Sequence, residues 1–281
     1  MKPETDKSTP VPTRPLFDNL AQIAARLQNA SHVFLFLDFD GTLAPIVNDP
    51  SDAFMPAKTA LSLVRLGQKT HISIAVISGR SLEDLEERVG VPGITYAGDH
   101  GFAIRGQGLN FVERIAAERR RALKSLCDRL QVALQGIPGV LLEEKAFTAT
   151  VHYRLVPGEF HERILSIVKD AVDNAEGLFR LTHGLFALEL RPHVDWNKGN
   201  AARWIMGLSG YPDSLALYIG DDTSDEDALI ALDSGITVKV GPGVETAAKY
   251  SLENQGRVGE FLAWLVRLDL KGPGDAGEIR G

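Results

Sequence analysis

The sequence predicts an α/β fold: a parallel-sheet core split by an inserted α+β domain. Short apolar runs, VFLFL (33–37) and ISIAVI (72–77), are bounded by polar turns as buried strands are. They alternate with amphipathic stretches of helical period, the pattern of a parallel sheet covered on both faces. Between residues 106 and 184 that rhythm gives way to a long helical stretch followed by period-two alternation, the mark of half-exposed antiparallel strands. The expected organisation is a flexible tail over 1–16, a core over 17–105 and 185–270, an insert over 106–184, and a loose tail over 271–281.

In chain order, FDNLAQIAARLQN (17–29) is amphipathic and precedes the strand HVFLFLDFD (32–40). AKTALSLVRLGQ (57–68) forms the next helix and leads into the strand HISIAVISG (71–79). Ser81, with Asp84 three residues on, suits the N-cap of SLEDLEERVG (81–90). ITYAGDHGFAI (94–104) is expected as one strand, and residues 111–135 as one long helix. LLEEKAFTATVHYRLV (141–156) alternates as a strand pair, HERILSIVKDAVDNAEG (161–177) is helical, and LFRLTHGLFALELRP (178–192) turns at His183-Gly184 between two strands. The α/β rhythm then resumes with a helix at 197–209, a strand at 215–221, a helix at 224–235, a strand at 236–241 and a closing helix at 259–270.

Composition narrows the function. Of 281 residues, 44% are hydrophobic and 24% charged, which is globular and excludes collagen-like or disordered chains. A formal net charge of −7 argues against a nucleic-acid or anionic-membrane partner, since both need a basic footprint. No run approaches the roughly 18 apolar residues of a membrane span, and the polar, proline-rich start lacks the apolar stretch of a signal peptide. A lone cysteine, Cys127, forms no internal disulfide and no thiolate metal site by itself. A cytoplasmic monomer is the expectation. The basic stretch Arg114–Arg129 suits a solvated helix face.

Four segments carry chemistry. LFLDFDGTL (35–43) puts Asp38 and Asp40 at the end of an apolar strand, where parallel sheets bind ligands. Two anions there call for a cation or hydrogen-bond donors; alternatively Asp40 caps a turn. ISGR (77–80) offers the Ser78 hydroxyl and free N–H groups, including that of Gly79, at a helix start, which suits a phosphate or merely an N-cap. Lys198 opens a helix, against the macrodipole. GDDTSDED (220–227) places Asp221 and Asp222 at a strand tip, where crowded carboxylates suit a hard, oxygen-liganded cation.

In this order, the four segments resemble those of the haloacid-dehalogenase-like (HAD) phosphatases. The resemblance implies a HAD-type Rossmann-like parallel-sheet core with an inserted α+β cap. It implies Asp38 as nucleophile, Asp40 as acid and base, and Mg²⁺ held by Asp38, the Asp40 carbonyl and Asp221. Lys198, Ser78, Gly79 and Thr42 are implied as phosphoryl-binding groups, with Asp222 and Asp225 supporting the metal and Lys198. Over about residues 30–265 the chain resembles the trehalose-6-phosphate phosphatases, through DFDGTLAPIVNDP, VISGRSLEDL, the GDHG segment, EEKAFTATVHYR, LELRPHVDWNKG and GDDTSDEDA. That likeness implies sugar contacts from Lys145, His152, Arg154 and Glu189, with His100 and Gly101 near substrate; the alternative for Lys145, His152 and Arg154 is a solvated strand face. One segment departs: where the family usually reads HGxE, this chain has His100-Gly101-Phe102-Ala103.

The expectation is an Mg²⁺-dependent trehalose 6-phosphate phosphatase. Its rivals are a related capped phosphatase acting on sucrose 6-phosphate, mannosyl-3-phosphoglycerate or a monosaccharide phosphate, and a non-catalytic phosphatase-like module. The presence of Asp38, Asp40, Lys198 and Asp221 together argues against the module. A receiver domain would need neither the insert nor the second aspartate.

Overall fold

The structure is a computed structural model that describes residues 13–270 except 48, 185, 212, 243 and 244. The tail residues 1–12 and 271–281 lie outside the described residues. In chain order the first strands are β1 (Arg14–Pro15), β2 (His32–Leu37), β3 (Ile72–Ile77), β4 (Thr95–Gly98), β5 (Ala103–Gly106) and β6 (Leu109–Val112). They are followed by β7 (Leu141–Glu144), β8 (Ala149–His152), β9 (Phe179–Gly184), β10 (Ala187–Pro192), β11 (Ser214–Gly220), β12 (Ile236–Val240) and β13 (Tyr250–Leu252). The helices are α1 (Leu20–Asn29), α2 (Ala57–Gly67), α3 (Leu82–Val89), α4 (Arg114–Ala133), α5 (His161–Asp173), α6 (Lys198–Gly207), α7 (Glu226–Ala231) and α8 (Gln255–Arg267).

The chain forms two compact units. One comprises Met1–Ile77, Glu86–Tyr96 and Asn197–Gly281; the other comprises Ser78–Leu85 and Ala97–Trp196. In the first unit the strands run in the order β1-β13-β12-β11-β2-β3. The pairings from β1 through to β3 are all parallel. β2 and β12 are buried at every position; β2 is accordingly an unbroken apolar run after His32, whereas β12 also buries Thr237 and Lys239. From β2 the chain proceeds to one side through β3, and from β11 to the other through β12 and β13. The switch point between β2 and β11 is where open α/β sheets leave a crevice at their carboxyl edge.

The second unit contains an antiparallel sheet in the order β7-β8-β10-β9. Ala149, Val151, Leu188 and Leu190 point to one face and pack with Leu126 and Leu130 of α4 and Ile164 and Val168 of α5. The period of two then puts Thr150, His152 and Glu189 on the opposite face. Register pairs Glu143 with Thr150 and Thr150 with Glu189, so these three form one row across the strands.

The expected parallel-sheet core and α+β region are both present, and several boundaries differ. The stretch 94–104 is not one strand: Asp99 and His100 adopt left-handed backbone (φ 48° and 59°) and break it into β4 and β5. The long helix begins at Arg114 rather than 111, because Phe111 and Val112 belong to a β5–β6 hairpin. Gln107 and Gly108, both at positive φ, form its two-residue turn. Arg14 and Pro15, within the stretch read as a tail, pair with β13. The Arg14 guanidinium lies 4.7 Å from the Tyr250 ring centroid and Leu16 is buried. Strand β13, only three residues long, is too short to show a period in the sequence.

Candidate active site

The first unit builds a carboxylate cluster at the ends of β2 and β11. Asp38 directly follows β2, and its N–H donates to the Ile219 carbonyl (3.0 Å), which extends the ladder one residue beyond the strand. The Phe39 carbonyl then accepts from the N–H groups of Thr42, Leu43 and Ala44 at 3.3, 2.9 and 2.8 Å. This tight loop needs Gly41 at φ +80°, and a Cβ there would lie 1.9 Å from Asp221 Oδ2. Asp40 bridges to Ala44 within the same loop. Thr42 is fully buried and its hydroxyl has no hydrogen-bond partner.

Lys198 sits at the centre of the cluster. An Asn197–Asn200 capping box opens α6 and places Lys198 at its first position. The ammonium donates to Asp38 Oδ1 and Asp225 Oδ1, both at 2.7 Å, and all three side chains are almost completely buried. Burial alone would lower the lysine pKa, but Asp225 and Asp38 outweigh it and hold the group well above its ordinary value. Asp225 is further saturated: Tyr218 donates its hydroxyl to Oδ1 at 2.7 Å, and the Asp222 N–H donates to Oδ2 at 2.9 Å. Lys239 donates to the Asp221 carbonyl at 2.6 Å.

The donor set fits a divalent cation. Asp38, Asp221 and Asp225 each present an oxygen within 4.8 Å of the others. Asp225 is committed to Lys198, Tyr218 and Asp222, whereas Asp221 Oδ1 is buried without a hydrogen-bond partner. Such an orphaned oxygen is costly unless a cation takes it. Burial, reinforced by Asp225, raises Asp221 to about 7; burial likewise pushes Asp38 well above the carboxylate range, against the opposing pull of Lys198. A bound cation would reverse both shifts, and an oxygen-only set suits Mg²⁺. For Asp222, burial is outweighed by Lys198 and by the N–H groups of Thr223 and Ser224, so its pKa is lowered.

The second unit gathers the other predicted residues. Ser78 follows β3, its N–H donates to the Ala97 carbonyl at 2.9 Å, and its hydroxyl accepts from the Arg80 N–H at 3.2 Å. A Cβ on Gly79 would lie 2.7 Å from the His100 ring. His100 Nε2 meets Glu189 Oε1 at 2.6 Å, and Arg191 donates Nε to Glu189 Oε2 at 2.7 Å. Burial would raise Glu189, yet His100 and Arg191 together drive it far below the usual range. Lys145 Nζ donates to the Gly79 carbonyl at 2.9 Å, and His152 pairs with Glu143 Oε2 at 2.9 Å. Gly101 accepts from Trp196 Nε1 at 2.8 Å. Arg154 lies just beyond β8, half-buried.

Within the first unit the structure thus brings together Asp38, Lys198, Asp221, Asp222 and Asp225; within the second it brings together Ser78, Gly79, His100, Lys145 and Glu189. Tyr218, Lys239, Glu143, Asp99 and Arg191 were not singled out from the sequence. Only Glu143 had a visible signal, since it shares alternate positions with Lys145.

A profile of the trehalose-phosphatase family matches residues 36–255. A trehalose-phosphate phosphatase of Mycobacterium marinum is 38% identical over 243 residues, covering 83% of this chain and 61% of that protein. One from Mycobacterium tuberculosis is 36% identical over 242 residues, with the same shares. The chain therefore spans about 61% of the length of these curated relatives. Among solved structures, the C-terminal domain of a Candida albicans trehalose-6-phosphate phosphatase superposes with a TM-score of 0.78 at 24% identity, covering 93% of this chain and 100% of that one. An Aspergillus fumigatus trehalose-6-phosphate phosphatase gives 0.63 at 26% identity, with 91% and 99% covered. A haloacid dehalogenase-like hydrolase from Bacteroides thetaiotaomicron gives 0.61 at 14% identity, with 83% and 99% covered, a likeness of fold alone.

Proposed function

The chain belongs to the trehalose-phosphatase family, and on that premise we propose that it is an Mg²⁺-dependent phosphatase converting trehalose 6-phosphate to trehalose and phosphate. The observation that carries the reading is the buried Lys198, shared between Asp38 and Asp225 beside the orphaned Asp221 oxygen. Among the described residues no helix is long and apolar enough to cross a membrane.

Asp38 is the nucleophile. Its carboxylate oxygen bonds to phosphorus as the bond from phosphorus to the sugar oxygen breaks, and Asp40 gives that oxygen its proton. Asp40 then takes a proton from water as the water oxygen attacks phosphorus. The Asp38–phosphoryl bond breaks, inorganic phosphate leaves, and the carboxylate is restored. Mg²⁺ held by Asp38, the Asp40 carbonyl and Asp221 would offset the repulsion between an anionic nucleophile and an anionic phosphoryl group. Lys198, Ser78, Thr42 and the Gly79 N–H hold the phosphoryl oxygens, where charge develops in the transition state. Asp225 keeps Lys198 aimed, and Asp222 supports Asp225 through its N–H.

In the same proposal the second unit is the substrate-specificity cap. Lys145, His152, Arg154 and Glu189, with His100, Gly101 and the neighbouring Glu143, recognise the sugar. The partner is a small sugar phosphate, with no nucleic acid or membrane partner, and the enzyme is a cytoplasmic monomer; the single thiol, buried Cys127, supports a reducing compartment. One observation favours a related sugar phosphatase instead: Phe102 and Ala103 are buried in the segment where the family usually carries an acid. The test is phosphate release from trehalose 6-phosphate with Mg²⁺, for the native chain and for Asp38→Asn. Turnover that survives Asp38→Asn overturns the nucleophile assignment.

A further inference from the structure

The turn Ser78-Gly79-Arg80 is gripped through three consecutive carbonyls, all by donors of the second unit. The His100 N–H donates to the Ser78 carbonyl at 2.8 Å and the Asp99 N–H to the Arg80 carbonyl at 2.6 Å. Between them, the Gly79 carbonyl accepts from Lys145 Nζ at 2.9 Å. Two of the three donors are main-chain amides; Lys145 is the side chain. Its ammonium lies farther from its other partners, 3.4 Å from Thr150 Oγ1 and 3.8 Å from Glu143 Oε2, so Gly79 is its principal acceptor.

The hairpin that carries Lys145 is tied to the same turn a second time. The Lys145 N–H donates to the Thr148 carbonyl (2.9 Å), and the Thr148 hydroxyl donates to Asp99 Oδ1 (2.9 Å). Asp99 in turn holds Arg80. The Lys145 side chain is only 10% exposed, and His100 packs against Gly79 so closely that no Cβ fits there. Little room remains for the turn to shift while these bonds hold.

The Gly79 carbonyl and the Arg80 N–H belong to one peptide plane, and that N–H donates to Ser78 Oγ at 3.2 Å. An ammonium that fixes the carbonyl end therefore fixes the amide end as well. We propose that Lys145 is a positioning residue for the Ser78 hydroxyl: it clamps the Gly79–Arg80 peptide, so binding of a phosphoryl group depends on Lys145 even when no sugar is attached. The inference rests on the reading of Ser78 as a phosphoryl ligand. It adds a second role to a residue otherwise expected to touch only the sugar.

The test uses inorganic phosphate as the probe, bound to the full chain in the presence of Mg²⁺, and p-nitrophenyl phosphate as a sugarless substrate. Removing one charge-assisted hydrogen bond and leaving its acceptor unpaired should weaken phosphate about tenfold in Lys145→Met. Lys145→Gln, a neutral donor, should fall between, and Lys145→Arg should restore most of the affinity. For p-nitrophenyl phosphate the loss should appear in KM more than in kcat. If Lys145→Met does not fold, the Gln and Arg pair carries the comparison. Native phosphate affinity in Lys145→Met or Lys145→Gln overturns the positioning role. Native phosphate affinity in Ser78→Ala overturns the reading of Ser78 beneath it, whatever Lys145 does.

Discussion

Substituting Gly41 by alanine probes the carboxylate cluster at its tightest point. Gly41 has φ +80°, which costs a residue with a side chain about 1–3 kcal/mol. The new methyl would also start 1.9 Å from Asp221 Oδ2, well inside the 3.0 Å below which real Cβ contacts essentially never occur. Asp221 must therefore retreat by about 1 Å or the loop must open, and a displacement of that size at a reacting centre lowers activity by about 100-fold. Lys239 anchors the Asp221 carbonyl, so the backbone resists the shift and the side chain absorbs it. Gly41→Ala should thus lose about 1–3 kcal/mol in urea unfolding without metal, lose kcat/KM about 100-fold, and need more Mg²⁺ for half-activation. A variant within threefold of native kcat/KM, with unchanged Mg²⁺ dependence, would refute the placement of Asp221 against this loop.

Tyr218→Phe deletes a buried hydroxyl that donates to Asp225 at 2.7 Å; a hydrogen bond to a charged group contributes roughly 1.5–3 kcal/mol, and the urea midpoint should fall accordingly. Arg191→Met leaves Glu189 buried with His100 as its remaining ionic partner. Breaking such a pair costs roughly 3–5 kcal/mol, to be read as a lowered melting temperature. Asp99 is raised to about 7, first by burial, with Lys145 and Thr148 opposing. Its contribution to stability is therefore full below the unfolded carboxyl pKa of about 3.9 and is lost as pH rises through about 7. Relative to Asp99→Asn, the native chain should lose about 1.4 kcal/mol of unfolding free energy per pH unit inside that window; parallel pH profiles for the two proteins would contradict it.

The parts of the site legible in the sequence are those written locally. DFDGTL and GDDTSDED each follow an apolar strand, so strand ends and carboxylates could be read together, and Lys198 stood out as a cation opening a helix. Tyr218 was hidden because it lies inside an apolar run, and only the turn back of Asp225 to its hydroxyl gives it a role. Lys239 was hidden for a similar reason, in a strand buried at all five positions. In the second unit, period two marked His152 and Arg154 as one face, yet the pairing of Glu143 with His152 depends on β7–β8 register. The β5–β6 hairpin was missed because its turn, Gln107-Gly108, needs positive φ at a glutamine, and FVER joins the following helix smoothly. Asp99 and His100 looked like strand residues; their left-handed backbone is imposed by the bonds they make to Ser78 and Arg80.

The specificity for trehalose 6-phosphate is read most directly from the ratio of its kcat/KM to that for glucose 6-phosphate, measured with Mg²⁺ on the native chain. If, as proposed, buried polar groups such as Glu189 and Lys145 recognise the second sugar ring, the preference is at least about 100-fold, since unpaired polar partners penalise the truncated substrate heavily. Comparable turnover of glucose 6-phosphate would overturn the assignment of trehalose 6-phosphate as the substrate.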